Sequence, residues 1–172
     1  MSINELKILG VAGSMREGSY SKRALKVALE SAKKHGAQVR MLELAKADLP
    51  MYASSGASSS PALAKVAADV EWADAFILAS PDFHGSISGA LKNFLDYFYE
   101  EFAGKVFGYI VASHEKGLTV MDQMRTAVRQ CYGWSMPYGV SINGEQDFSA
   151  GQLSNPRIEQ RLNMMGRDLV TY

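Results

Sequence analysis

The stretch Ile8-Leu9-Gly10-Val11-Ala12-Gly13-Ser14-Met15-Arg16-Glu17-Gly18-Ser19-Tyr20-Ser21 decides how the chain is read. An apolar run of strand length passes into a loop of Gly, Ser and one Arg. A helical pattern follows at once, with Ala24, Leu25, Ala28, Leu29 and Ala32 on one face and Lys22, Arg23, Lys26, Glu30 and Lys33 on the other. Such a connection aims free backbone N–H groups and the positive end of a helix dipole at whatever sits above the loop. The natural guest is an anion, most often a phosphate.

Two well-known phosphate loops do not fit. Gly13 and Gly18 have G-x-x-x-x-G spacing, but Ser19-Tyr20 stands where Lys then Ser/Thr is needed. The dinucleotide pattern G-x-G-x-x-G is absent, because Ala12 lies between Gly10 and Gly13. What remains is three hydroxyls, Ser14, Ser19 and Ser21, and the guanidinium of Arg16. That kit suits one terminal monophosphate held without a metal. A solvated turn with a serine N-cap is the plainer alternative.

Outward from this stretch, strands and helices alternate. His35-Gly36 ends the first helix, and Gln38 to Leu44 alternates as a second strand. Glu43 near its end is read as structural, since the dinucleotide pattern that would give it a ribose to hold is missing. Ala45 to Ser60 is irregular, small and polar, with the composition of a mobile loop or a lid. Pro61 opens a helix behind Ser60. Ala75 to Ala79 is continuously apolar, as in a strand buried on both faces.

A second informative stretch follows it, Ser80-Pro81-Asp82-Phe83-His84-Gly85-Ser86-Ile87-Ser88-Gly89-Ala90-Leu91-Lys92-Asn93-Phe94-Leu95-Asp96-Tyr97. It again reads strand end, Gly/Ser loop, helix. The helix is expected to run from Ile87 to Phe102, with Lys92, Asn93 and Asp96 facing away and surplus aromatic surface at Tyr97 to Phe102. Lys105 to Ala112 is the fourth strand, and Ser113-His114-Glu115-Lys116-Gly117 is a third loop of the same kind. A helix over about Val120 to Tyr132 comes next. Trp134 to Ile142 is the fifth strand, an edge strand because of Pro137. Asn143 to Gly151 reads as polar loop, and Asn155-Pro156 starts the last helix.

This alternation implies an α/β three-layer sandwich with a five-stranded parallel sheet in order 2-1-3-4-5. Residues 1–172 are expected to form a single domain. Ligands of such sheets sit beyond the carboxyl ends of the strands, at the switch point between strands 1 and 3. The loops after strands 1, 3 and 4 meet there, and composition singles out the same three. Order and composition together point to a flat phosphorylated ligand.

The bulk numbers exclude several classes. Apolar residues make up 47% and charged residues 21% of 172, so the chain is globular. Lys+Arg and Asp+Glu are equal at 18 each, which argues against a general nucleic-acid or acidic-lipid binder. The lone Cys131 forbids an internal disulfide and fits a reducing compartment. Met1 to Glu5 has no signal-peptide character, and no run of 18 apolar residues occurs. A cytoplasmic protein is expected. His35, His84 and His114 have no metal-ligand spacing, and Gly85-Ser86-Ile87-Ser88-Gly89 is no nucleophile elbow.

The residues also resemble a known family. Gly13 to Ser21 is similar to the G-S-x-R-x-x-S-x-N loop of the NAD(P)H-dependent FMN reductases, which are flavodoxin-like proteins. Ser80 to Tyr97 resembles their S-P-E-Y-N-x-S-I-P-G-x-L-K-N-x-x-D-W stretch. The resemblance implies bound FMN, with NADPH or NADH as co-substrate. It implies reduction of an acceptor such as a quinone, free flavin, azo dye or chromate.

By position, Ser14, Arg16, Ser19, Tyr20 and Ser21 would hold the 5′-phosphate. Pro81, Asp82, Phe83, His84 and Gly85 would border the isoalloxazine, and Ser113 with Gly117 would stand near its pyrimidine end. The family also points to a homodimer or homotetramer. This chain departs at Ser21 for Asn, at Asp82-Phe83-His84 for Glu-Tyr-Asn, and in a third loop without the double glycine. No residue is required as a dedicated acid or base, and His84 reads as a surface histidine. A non-enzymatic FMN electron carrier, or a redox-responsive interaction module, is the alternative function. A cofactor-free interaction domain is a third.

Overall fold

The computed structural model describes residues 5–53 and 60–172. Strand β1 (Lys7–Ala12) pairs in parallel with β2 (Gln38–Glu43) and β3 (Ala75–Pro81), and β3 pairs with β4 (Val106–Ala112). The last strand of the expected five is two pieces, β5 (Trp134–Ser135) and β6 (Val140–Ile142), each parallel to β4. Pro137 lies between them and has no N–H to give the ladder. The sheet order is β2-β1-β3-β4-β5, as expected. Register brings Ala12, Glu43, Pro81 and Ala112 to one edge, so the loops that follow leave side by side.

Each face of the sheet has its own core. On one face α1 (Tyr20–Lys34) and α6 (Pro156–Thr171) pack on Ile8, Ala75, Ile77 and Ile110. On the other, α3 (Pro61–Trp72), α4 (Gly89–Tyr97) and α5 (Leu118–Gln130) pack on Leu9, Val11, Phe76, Leu78 and Tyr109. Burial on both sides explains the unbroken apolar run of β3. Burial also pushes the Tyr109 phenol up to about 12, and its hydroxyl lies 2.6 Å from Ser135 Oγ, against the edge strand.

Besides the split fifth strand, three elements differ from the sequence reading. The helix expected over Ile87 to Phe102 ends at Tyr97, where Phe98 turns extended and a short 3-10 turn, Glu100–Phe102, follows. The break lets Phe98 and Phe102 turn under α4, where they pack with Phe94 at ring distances of 5.3 and 6.1 Å. Phe102 also meets the stacked pair Phe76–Phe107. Much of the supposed surplus aromatic surface is therefore core.

The irregular segment after β2 begins with a short helix, α2 (Leu44–Ala47); residues 54–59 of the proposed lid lie outside the described residues. Asn93, expected to face away, is buried. Its Nδ2 donates to Pro50 O at 2.8 Å, and its Oδ1 accepts from Tyr52 N–H at 2.8 Å. Tyr97 OH donates to the same carbonyl at 3.0 Å. Finally, the loop after β6 contains a small hairpin, β7 (Phe148–Ser149) with β8 (Gln152–Leu153).

Helices α1 and α6 cross without a side chain between them at Gly166. A Cβ there would strike Ala28 O and come within 2.7 Å of Ala32 N. Gly166→Ala should therefore lower stability by about 1–3 kcal/mol despite the better helix propensity of alanine. Gly89→Ala is the control, because a Cβ there meets nothing within 4 Å. Thermal melts should show a fall of roughly 2–4 °C per kcal/mol for the first and no fall for the second. Equal melts would mean that the helices do not meet so closely.

Candidate functional site

The site begins with one backbone clamp. Gly13 follows β1, and its N–H donates to Ala79 O at 2.8 Å. Its carbonyl accepts from Ser88 Oγ at 2.6 Å. Ser88 caps α4, accepting from Leu91 N–H at 3.1 Å, and its own N–H reaches Ser80 Oγ at 3.0 Å. A Cβ on Gly13 would lie 2.9 Å from Leu91 Cβ and 3.0 Å from Ala79 O, so only glycine allows this approach. The two loops singled out by composition are thereby sewn together.

Beyond the clamp is a pocket of about 350 Å³. Ser14, Arg16, Ser19, Tyr20 and Ser21 line it from the first loop, with Pro81, Asp82 and Phe83 from the second and Ser113 from the third. Ser14, Ser19 and Ser21 are buried, although each carries a hydroxyl. Ser19 and Ser21 oxygens lie 3.2 Å apart, and Ser19 Oγ caps α1 by accepting from Lys22 N–H at 3.2 Å. The amides of Tyr20 and Ser21 belong to the first turn of α1, where a helix offers them no acceptor of its own. Arg16 completes the end of the pocket, its guanidinium carbon 5.5 Å from the centre of the Tyr20 ring. Hydroxyls, amides and one guanidinium around a space of this size fit an anion with several oxygens.

His84, Gly85 and Gly117 lie in a second, wider pocket of about 760 Å³. It meets the first at Asp82, Ser113 and His114, which line both. Phe83 to Ser86 forms a tight turn, Phe83 N–H to Ser86 O at 3.0 Å and Ser86 N–H to Phe83 O at 3.1 Å. Its central residues His84 and Gly85 both have positive φ, 57° and 73°, as a type I′ turn requires. His84 and Phe83 are exposed at its tip. Gly117 is buried at the start of α5.

Four lining residues of the first pocket lie outside the set expected from sequence: Ala112, His114, Gly144 and Glu145. The last two come from the loop after β6, read only as polar loop. It too leaves a carboxyl strand end, which is the signal that could have found it. Gly144 packs flat on the Tyr20 ring, where a Cβ would overlap it. Phe148 meets the same ring at 4.9 Å. The loop is held by buried Asp147, whose carboxylate accepts from Asn143 N–H and Asn155 Nδ2, both at 2.7 Å. Glu43 stays out of both pockets. Hydrogen bonds from Lys22 at 2.9 Å and Lys46 at 3.0 Å hold its carboxyl below the usual range, in a structural role.

A doubly wound parallel sheet with its pocket at the strand 1/strand 3 switch point defines a flavodoxin-like protein. Residues 6–147 match the NADPH-dependent FMN reductase family, and the chain belongs to that family. It is 29% identical over 96 residues to an NAD(P)H-dependent FMN reductase of Pseudomonas aeruginosa, covering 55% of this chain and 50% of that protein. It is 32% identical over 124 residues to an NADPH azoreductase of a Bacillus species, covering 69% and 70%. The chain thus spans about half the length of the first relative. A flavoenzyme NAD(P)H:(acceptor) oxidoreductase of Paracoccus denitrificans has the same fold, with a TM-score of 0.80 at 19% identity over 97% of this chain and 96% of that one.

A left-handed backbone costs an L-residue about 1–2 kcal/mol, and most for a β-branched one. His84→Gly should therefore raise the melting temperature or leave it unchanged, and His84→Val should lower it. If glycine destabilises as much as valine, the imidazole and not the backbone holds the turn.

Proposed function

We propose that this chain is an FMN-containing oxidoreductase that passes electrons from NADPH or NADH to a small acceptor such as a quinone, free flavin, azo dye or chromate. Residues 1–172 act in this reading as one flavin-binding domain. The observation that carries it is the meeting of three strand-end loops around a pocket whose first-loop end is lined by buried hydroxyls, helix-start amides and Arg16.

Ser14, Ser19, Ser21, the first-turn amides and Arg16 would hold the FMN phosphate. The loop Pro81 to Gly85 and the residues Ser113 and Gly117 would border its ring. Bound there, FMN would supply the hydride and electron-transfer chemistry between nicotinamide and acceptor. The protein's part is to bind and to orient. Hydroxyls that already cap the helix and bond each other keep the anion end ordered before binding, so little is lost in arranging it. Tyr20, wedged between Gly144 and Phe148, closes one side against water.

Among the described residues no helix is long and apolar enough to cross a membrane. Cytoplasmic location is our reading from the single cysteine and the need for reduced nicotinamide. We also read the protein as a homodimer or homotetramer. Exposed Tyr99, Tyr132 and Trp134 support this, the first two edge to face at 5.9 Å. Light scattering at micromolar concentration should give twice or four times the chain mass, and a monomer removes the reading.

The function is tested with the purified protein. Its bound flavin should be released as FMN by mass spectrometry, and NADPH or NADH should be consumed rapidly with a quinone. Slow turnover with a stable one-electron state would favour the carrier instead, and a colourless protein that takes up no FMN would exclude both. Arg16→Ala should weaken FMN binding about 10- to 150-fold, the effect of losing a charge-assisted pair of roughly 1.5–3 kcal/mol. Riboflavin, which has no phosphate, should bind wild type and variant alike. Equal loss of both ligands would mean that the first loop is not the phosphate site.

A further inference from the structure

Asp82 stands where the two pockets join, and each of its carboxylate oxygens accepts one hydrogen bond. Oδ1 accepts the Gly85 N–H at 2.8 Å, which closes the turn after β3. Oδ2 accepts the Ser113 hydroxyl at 2.8 Å, from the loop after β4. The Asp82 N–H donates to Ala112 O at 2.8 Å, and Ser113 N–H donates to Ile142 O at 2.9 Å. The side chain therefore ties the turn after β3 to the loop after β4, and backbone bonds join the same residues to β4 and β6. Ser113 Oγ also accepts from Glu115 N–H at 3.1 Å, so the third loop is shaped through the same contact.

The carboxylate of this clip forms no ion pair within 4 Å among the described residues. Lys116, Glu115, His84 and His114 line the wider pocket with it, while its side-chain hydrogen bonds go to Gly85 and Ser113. A carboxylate held at each oxygen by a donor, Gly85 N–H on one and the Ser113 hydroxyl on the other, does not swing away freely when negative charge arrives nearby. Near a protein surface, the repulsion between two such charges a few ångströms apart is about four-fold larger than in bulk water.

We propose that Asp82 is the positioning residue of the site, spacing the second and third loops, and that its fixed negative charge lowers the reduction potential of the flavin between them. The proposal rests on the FMN reading above. Electrons added to the flavin bring negative charge, which a neighbouring carboxylate disfavours. The protein then binds reduced FMN less tightly, relative to oxidised FMN, than it would without the charge. The clip keeps the two loops in place, and its charge makes the bound flavin a stronger donor. Aspartate serves here where the family motif has glutamate, one methylene longer.

The test measures the two-electron potential of FMN bound to the full chain, together with the affinity for oxidised FMN. Asp82→Asn keeps the shape and can still accept from Gly85, but loses the charge. It should favour reduced over oxidised FMN by about 10-fold, a rise of roughly 30 mV for a two-electron couple. Ser113→Ala keeps the charge and removes one arm of the clip, so FMN should bind several-fold more weakly with no rise in potential. Asp82→Glu should hold the potential near wild type.

An unchanged potential in Asp82→Asn overturns the proposal, as does an equal rise in Ser113→Ala. If Asp82→Asn does not fold, the pair Ser113→Ala and Asp82→Glu decides: a rise in either one overturns it. A wild type that takes up no FMN sinks the functional reading itself. A wild type that binds FMN, with Asp82→Asn unshifted, sinks only this inference.

Discussion

The hydrogen bonds around the Gly13 peptide hold the site together. Its N–H is given to Ala79 and its carbonyl takes the Ser88 hydroxyl, so the loop after β1 cannot move without the loop after β3. Both groups are buried, and a buried peptide group left without a partner would cost more than the bond itself is worth. Glycine is needed because Leu91 and Ala79 stand where a side chain would go. From this contact outward, the serine-lined end of the pocket faces the second loop at a set distance. Asp82 then repeats the device one strand further along the sheet.

The sheet gives these clamps a rigid base. Its central strands are buried on both faces, and parallel register ends them together. The loops can then be small, polar and shaped by hydrogen bonds, since they need supply none of the core. The aromatic cluster under α4 serves the same end. Phe98 and Phe102 abandon the helix to pack on Phe94 and the Phe76–Phe107 stack, which seats α4 and with it Ser88. Along another side, α4 anchors the segment after α2 through Tyr97 and the buried Asn93. One helix thus supports both the site and the chain that flanks it.

Much of this was legible beforehand. Strand order, most helix faces, Ser60 and Asn155 as N-caps, and the three loops at one sheet edge all follow from local pattern and the right-handed crossover. Of the site, the first-loop residues and Pro81 to Phe83 with Ser113 line one pocket together, while His84, Gly85 and Gly117 line the adjoining one. Less legible were contacts that join residues far apart. Asn93 reads as a polar helix residue until Pro50 and Tyr52 are beside it. Gly144 and Glu145 sit in a loop of ordinary polar composition until Tyr20 is against them.

The sequence by itself determined the layers and the serine-rich loop after β1, because each rests on spacing within one short segment, and the order of the sheet followed from the alternation of strands and helices. Hydrophobic period, turn residues and cap residues act over a few positions and can be read there. Only the tertiary structure decided where the helix after β3 stops, which polar side chains are buried, and that Asp82 spends its carboxylate on Gly85 and Ser113. Those outcomes depend on which distant atoms become neighbours. A phenylalanine leaves a helix when a better apolar contact lies across the core, and a carboxylate turns inward when two donors await it.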